Sequence, residues 1–255
     1  MTESDVRGTS PSQAPAGKQP GLNDMAEDMF GLSIRGLTTI YDAITRPAAV
    51  FTAARLPDWG GRYTPTLRLV TSVIAVMMLL RIFWAAESSS MYQMVVVQLE
   101  QLAEQVPELA TSDNLADVYF NAWAVVFPFV YLAMHLIVAF ATRIWGKGTS
   151  AVSRIRLYFA SLVPGLIFGI ASVLVMPFIS LEALTPMTII GMALSLLIYA
   201  VTVFFGLSPI FPSRGARIWR ATLFSLIVTV TDLATSIISN FIGGIWMGMS
   251  AATGG

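Results

Sequence analysis

The sequence predicts an all-α polytopic membrane protein: a five-transmembrane-helix bundle preceded by an N-terminal amphipathic interfacial helix. Three observations predict it. The 255 residues are 55% hydrophobic and only 12% charged, with a mean hydropathy of +0.70, far too apolar for an ordinary soluble domain. Apolar residues gather into five stretches, about 64–86, 119–145, 157–179, 187–207 and 219–247, each near the roughly 20 residues a helix needs to cross hydrocarbon. Basic residues are segregated: six lie in residues 1–66, four between Arg143 and Arg156 and three between Gly206 and Arg220, with none in the loops after spans 1 and 3. By the positive-inside rule the N-terminus is cytoplasmic and the C-terminus outside.

The last stretch organises the others. Its small polar residues fall at Thr222, Ser225, Thr229, Asp232, Ser236, Ser239 and Gly243, alternating steps of three and four that place them on one helical face. Hydroxyls and a carboxylate are costly against lipid, so that face must be covered by other helices. Asp232, near its middle, needs a partner or a proton.

Residues 1–21 are rich in Ser, Pro, Gly and Gln and lack an apolar core segment, which reads as a flexible cytoplasmic tail rather than a signal peptide. Residues 22–63 form the lead-in. Ile34, Leu37, Tyr41 and Ile44 recur at helical spacing opposite Arg35, Thr38, Thr39 and Asp42, too short and polar to span; the reading is a helix on the membrane surface, broken at Arg46-Pro47 and resumed over Pro47 to Ala54. The alternative is a small helix docked on cytoplasmic loops. Thr64-Pro65 is a capped start for span 1. Residues 87–114 hold five acids and no base; within them Met94 to Leu109 reads as an amphipathic helix on the outer face. Asn114 and Asp117 resemble a capping box before span 2, which bends at Pro128. Span 3 contains Pro164, and Thr185-Pro186 repeats the capped-start pattern before span 4. All six tryptophans, at 59, 84, 123, 145, 219 and 246, fall near span ends as an interfacial belt requires.

Candidate chemistry is sparse. Without cysteine and with one histidine, thiolate nucleophiles, disulfides and nearly every zinc site are excluded; neither cofactor nor metal is expected. Gly146-Lys147-Gly148-Thr149 lacks the leading glycine and the hydroxyl residue after lysine of a P-loop. No serine stands in a Gly-x-Ser-x-Gly context. Three polar residues lie inside spans: Arg81, His135 and Asp232. Arg81 is 15 residues past Thr66 and Asp232 is 13 past Trp219, roughly 20 Å from the same side, so the two could pair; otherwise Arg81 snorkels toward Trp84 and Glu87 while Asp232 accepts from threonines. His135 could relay protons or bind a head group, or simply bond a neighbouring hydroxyl. Ser161, Gly165 and Gly169, and separately Gly244 and Gly248, form small-xxx-small patterns for close helix packing, internal or with a second copy. The basic turns could bind anionic lipid or serve as ordinary positive-inside anchors.

The segment Ile44-Thr-Arg-Pro-Ala-Ala-Val-Phe51, with Pro47 and Phe51 in a Pro-x-x-x-Phe arrangement, and the run from His135 through Gly146-Lys-Gly148 into span 3 resemble the Yip (Ypt-interacting-protein) family of five-span membrane proteins, over about residues 36–247. Gly60-Gly-Arg-Tyr-Thr-Pro-Thr-Leu-Arg68 is also similar to the juxtamembrane stretch of an uncharacterised bacterial family of polytopic membrane proteins. The resemblance implies an α-helical bundle and, in eukaryotic members, trafficking partners such as small GTPases; residues 1–66 contain no GTPase-binding motif.

The expectation is therefore a non-enzymatic protein of a bacterial inner (cytoplasmic) membrane that organises membrane lipids or protein partners, a second copy included, with no nucleic-acid partner. The alternative is a small transporter or channel subunit with a polar path through Asp232, His135 and Arg81.

Overall fold

The structure, a computed structural model, describes residues 34–104 and 115–253. The expected tail, the start of the lead-in, the end of the outer helix beyond 104 and the Asn114 cap lie outside the described residues. Every regular element described is helical. In chain order these are α1 (Ile34–Thr45), α2 (Pro47–Ala54), a 3-10 turn (Trp59–Gly61), α3 (Thr66–Leu79), α4 (Arg81–Trp84) and α5 (Ser90–Ala103). The long helices follow: α6 (Leu115–Ala141), α7 (Ala151–Val175, with a 3-10 turn to Phe178), α8 (Leu181–Gly206) and α9 (Arg214–Thr253).

Four helices, α6 to α9, are long and apolar enough to cross a membrane. Their outward residues are what lipid requires: Phe129, Ile137, Val230 and Phe241 are each 65–72% exposed. The first predicted span is not one continuous helix. α3 has 14 residues, about 21 Å at 1.5 Å per residue, and ends at Leu80, where the ladder tightens to a bond from Phe83 N–H to the Leu80 carbonyl. The chain resumes as α4, and the break carries Arg81 to an acceptor on α6. Pro128 and Pro164 lie inside continuous helices. So does Pro186, because α8 begins five residues earlier than its Thr-Pro signal indicates.

α9 packs chiefly on α6 and α8, while α3 packs chiefly on α7. α2 is not a surface helix. Its Val50, Phe51, Ala53 and Ala54 are buried, and the Phe51 ring lies where a Cβ on Gly206 would come within 2.5 Å. An aromatic cluster continues from it, with Phe51 edge-on to Trp145 at 5.9 Å and Trp145 edge-on to Phe224 at 5.4 Å. Trp145 and Trp59 are therefore core residues rather than interfacial anchors, 0% and 3% exposed. Trp219 and Trp246 do face outward, each about half exposed.

α1 is amphipathic as the spacing predicts, but its polar face turns inward. Asp42, 2% exposed, accepts from Arg62 Nη2 at 2.7 Å and from the Tyr63 hydroxyl at 2.8 Å. The Thr39 hydroxyl oxygen accepts from the Thr64 amide at 2.9 Å. Ile34, Leu37, Tyr41 and Ile44 consequently point away from the protein, each more than half exposed. A buried carboxylate must be paired, and its donors Arg62 and Tyr63 lie in the loop after α2, so electrostatics decides which face docks.

Candidate functional site

The four long helices converge on one polar cluster inside the apolar bundle. His135, on α6 one turn past Tyr131, is fully buried. Its Nδ1 lies 2.9 Å from the Tyr158 hydroxyl on α7 and its Nε2 lies 3.0 Å from Asp232 Oδ1 on α9. The Tyr199 hydroxyl on α8 donates to Asp232 Oδ2 at 3.3 Å. The imidazole bridges the Tyr158 hydroxyl and the Asp232 carboxyl group through its two ring nitrogens. One contiguous hydrogen-bonded unit thus contains a side chain from each of α6, α7, α8 and α9. Tyr131 lies tilted against the imidazole, ring centroids 4.0 Å apart and planes at 33°.

Of the polar residues singled out in the sequence, His135 and Asp232 come together and Arg81 stands apart. Arg81 Nη2 donates to the Asn121 side-chain oxygen at 2.8 Å. The expected Arg81–Asp232 partnership does not form, because α3 leans on α7 whereas Asp232 on α9 faces α6 and α8. Matching depth placed the two at one level without placing them on adjacent helices. Threonines are not the partners of Asp232 either.

The predicted α9 stripe is turned inward at Ser225, Ser239 and Gly243 and outward at Thr222. Thr231 and Thr235, absent from that stripe, are buried as well. The hydroxyls of Tyr131, Thr229, Thr235 and Ser239 are buried with no partner, which leaves a line of unused polar capacity on both sides of Asp232. The Asp232 side chain itself is 34% exposed.

The small-residue patterns divide. Ser161 is buried and donates to its own Leu157 carbonyl. At Gly165 a Cβ would come within 2.3 Å of the Tyr199 ring, so this glycine makes room for the tyrosine that holds Asp232. Gly169 meets Met77 at an ordinary 3.6 Å. Gly244 and Gly248 have nothing within 4 Å; no described helix of this chain uses that pattern. Gly206 also makes a close approach, to the Phe51 ring, and lies outside the patterns singled out in the sequence.

Tyr158 and Tyr199 were not anticipated. A signal existed for Tyr199, which like Tyr131 lies well inside its predicted span, where a phenolic hydroxyl requires a partner; Tyr158, at the very start of predicted span 3, carried none. Among the described residues, no group of three or more His, Asp or Glu is arranged to hold a metal ion.

Comparison with protein-family models, with curated proteins and with solved structures finds no match to this chain.

Proposed function

We propose that this integral membrane protein is a non-enzymatic bundle that organises membrane lipids or protein partners, and that the His135–Asp232 unit is the lock setting the arrangement of its long helices. The single observation that carries the reading is that both ring nitrogens of His135 and both carboxylate oxygens of Asp232 are engaged. These polar atoms face one another across the four helices, as an interhelical lock requires. Among the described residues, three cavities of about 410, 510 and 490 Å³ lie away from His135, Asp232 and Arg81.

The membrane placement supports the same reading. The outward apolar face of α1 suits an interface at the end of the bundle bearing the basic turns, and that end is the cytoplasmic side of a bacterial inner membrane in this proposal. Membership of the Yip family also belongs to it, supported by the burial of Phe51 and His135, two residues of the resembling segments.

A second reading, a small proton-coupled transporter or channel subunit, is favoured by the partial exposure of Asp232 and the unpartnered hydroxyls of Thr229, Thr235 and Ser239. Reconstitution in liposomes with ion and lipid flux assays separates the two. The organising role predicts equal background flux for the unaltered chain and for Asp232→Asn. Flux through the unaltered chain that disappears in Asp232→Asn would replace it with the transport reading.

A further inference from the structure

The turn joining α6 to α7 forms a cavity of about 410 Å³ whose wall includes Arg143, Trp145, Lys147, Thr149, Arg154 and Arg220. We infer that this cavity is a binding site for a phosphate group, supplied by the headgroup of an anionic lipid. The assignment rests on the lipid-organising reading for the source of the phosphate, while the site itself stands on geometry away from His135.

Four observations carry it. Four cations line one cavity and, among the described residues, none has a carboxylate within ion-pair distance. Other basic residues of this end are spent on the fold: Arg55 donates to the Trp145 carbonyl at 2.7 Å, and Arg156 to the Leu56 and Pro57 carbonyls at 2.6 and 3.1 Å. Arg143 and Lys147 make no such contact and are exposed. Second, two donors are buried without an acceptor, Trp145 Nε1 and Arg154 Nε, on residues that form the wall; an orphaned buried donor is costly and calls for a partner. Trp145 is itself fully buried.

Third, the turn is preset. Gly146 and Gly148 have φ of +105° and +77°, which a side chain would strain. The carbonyls of Ile144 and Trp145 are pinned by Arg220 at 3.1 Å and Arg55 at 2.7 Å. Fourth, α6 ends at Ala141, α7 begins at Ala151 and α9 begins at Arg214, so the cavity lies where spanning helices leave the hydrocarbon, at headgroup depth. Exposed Phe140 and Trp219 lie under the Arg154 and Arg220 guanidiniums at 5.5 and 5.0 Å, an apolar flank suited to acyl chains. Positive charges, N–H donors and a glycine turn at that depth are what a phosphate needs.

The test uses the full chain in neutral detergent, with acetylation of Lys147 read by peptide mass spectrometry. Short-chain phosphatidylglycerol, phosphatidylcholine and inorganic phosphate are titrated separately. Phosphatidylglycerol is expected to protect Lys147, and Arg143→Gln with Arg154→Gln to shift the protecting concentration upward about 30-fold, since each cation near an anionic surface is worth about fivefold. Trp145→Phe, which removes the Nε1–H donor and keeps an aromatic ring at the position, should shift it several-fold. Protection by inorganic phosphate at lower concentration than by lipid assigns the same site to a free phosphate. Lack of protection by either, or an equal shift from Arg46→Gln with Arg214→Gln outside the cavity, overturns the site. Flux and thermal unfolding of the His135 and Asp232 variants, which test the bundle reading, are independent of this result.

Discussion

His135 Nε2 lies 3.0 Å from Asp232 Oδ1 although 97 residues separate them in the chain. This contact closes α6 against α9, and with Tyr158 and Tyr199 it reaches the remaining two long helices. Removing either partner leaves a polar group in an apolar bundle with its lone pairs or proton unused. Single changes at this pair should therefore be costly and non-additive. In thermal unfolding of the purified protein, His135→Ala and Asp232→Ala are each expected to lose about 2 kcal/mol, the range of a hydrogen bond to a charged group. The double variant should lose little more than either alone. Asp232→Ala and Arg81→Met should instead be additive, because Arg81 bonds Asn121; a coupling as large as that with His135 would contradict the contact.

Gly165 and Gly244 provide a matched comparison. A methyl at Gly165 meets the buried Tyr199 ring, whereas at Gly244 it meets open space. Gly165→Ala should destabilise by about 1–3 kcal/mol as overpacking does, and should also perturb Asp232 through the displaced Tyr199 hydroxyl. Gly244→Ala should be neutral or stabilising by up to about 1 kcal/mol, the backbone-entropy difference between the two residues. Equal effects at both positions would mean that α8 does not approach α7 as described.

Asp42 fixes which face of α1 docks. Asp42→Ala removes the acceptor for Arg62 and Tyr63, and a loss of about 2 kcal/mol is expected for a buried charge-assisted pair with one partner exposed. Limited proteolysis should then cut around residues 55–63 faster than in the unaltered protein. An unchanged cleavage rate would show that α1 is held by other contacts.

Alkaline conditions test the same corner. Burial first, then the Asp42 hydrogen bond and charge, raise the Tyr63 hydroxyl above its ordinary pKa of 10.0. Burial, reinforced by Asp117 and Glu87, does likewise at Tyr92. A group whose pKa is raised by folding contributes stability that is complete below its unfolded value and lost as pH climbs through the folded one. The unfolding temperature should thus decline above about pH 10. Tyr63→Phe should flatten that decline while costing about 1 kcal/mol at neutral pH for the lost hydrogen bond. A decline of unchanged steepness in Tyr63→Phe would remove Tyr63 as its source.

Because the chain has no cysteine, single cysteines report membrane sidedness on an unaltered background. Lys147→Cys and Gln98→Cys are expected to react with an impermeant maleimide from opposite sides of sealed vesicles. Reaction of both from one side would reject the topology read from the basic turns.

Much of the architecture is legible in local pattern. Hydropathy locates α6 to α9 with ends displaced by up to six residues, because a spanning helix must bury its own backbone bonds and show apolar side chains to lipid wherever it stands in the bundle. The face of α9 carrying Ser225, Asp232 and Ser239 is legible for the same reason. The break at Leu80 is not, since no proline or glycine marks it and it serves an amide on α6. The insertion of α2 is also hidden, because Val50 and Phe51 read equally well as lipid-facing residues and as core.

The sequence by itself determined that this is a helical membrane protein, roughly where its long helices run, and that Arg81, His135 and Asp232 are the polar residues inside its apolar stretches. Those properties follow from transfer free energies, which act residue by residue. Only the tertiary structure decided that His135 and Asp232 partner each other, that Tyr158 and Tyr199 complete the unit, and that Arg81 is excluded. Which helix neighbours which depends on interlocking shapes such as Tyr199 over Gly165, and no periodicity along one helix encodes the identity of the helix beside it.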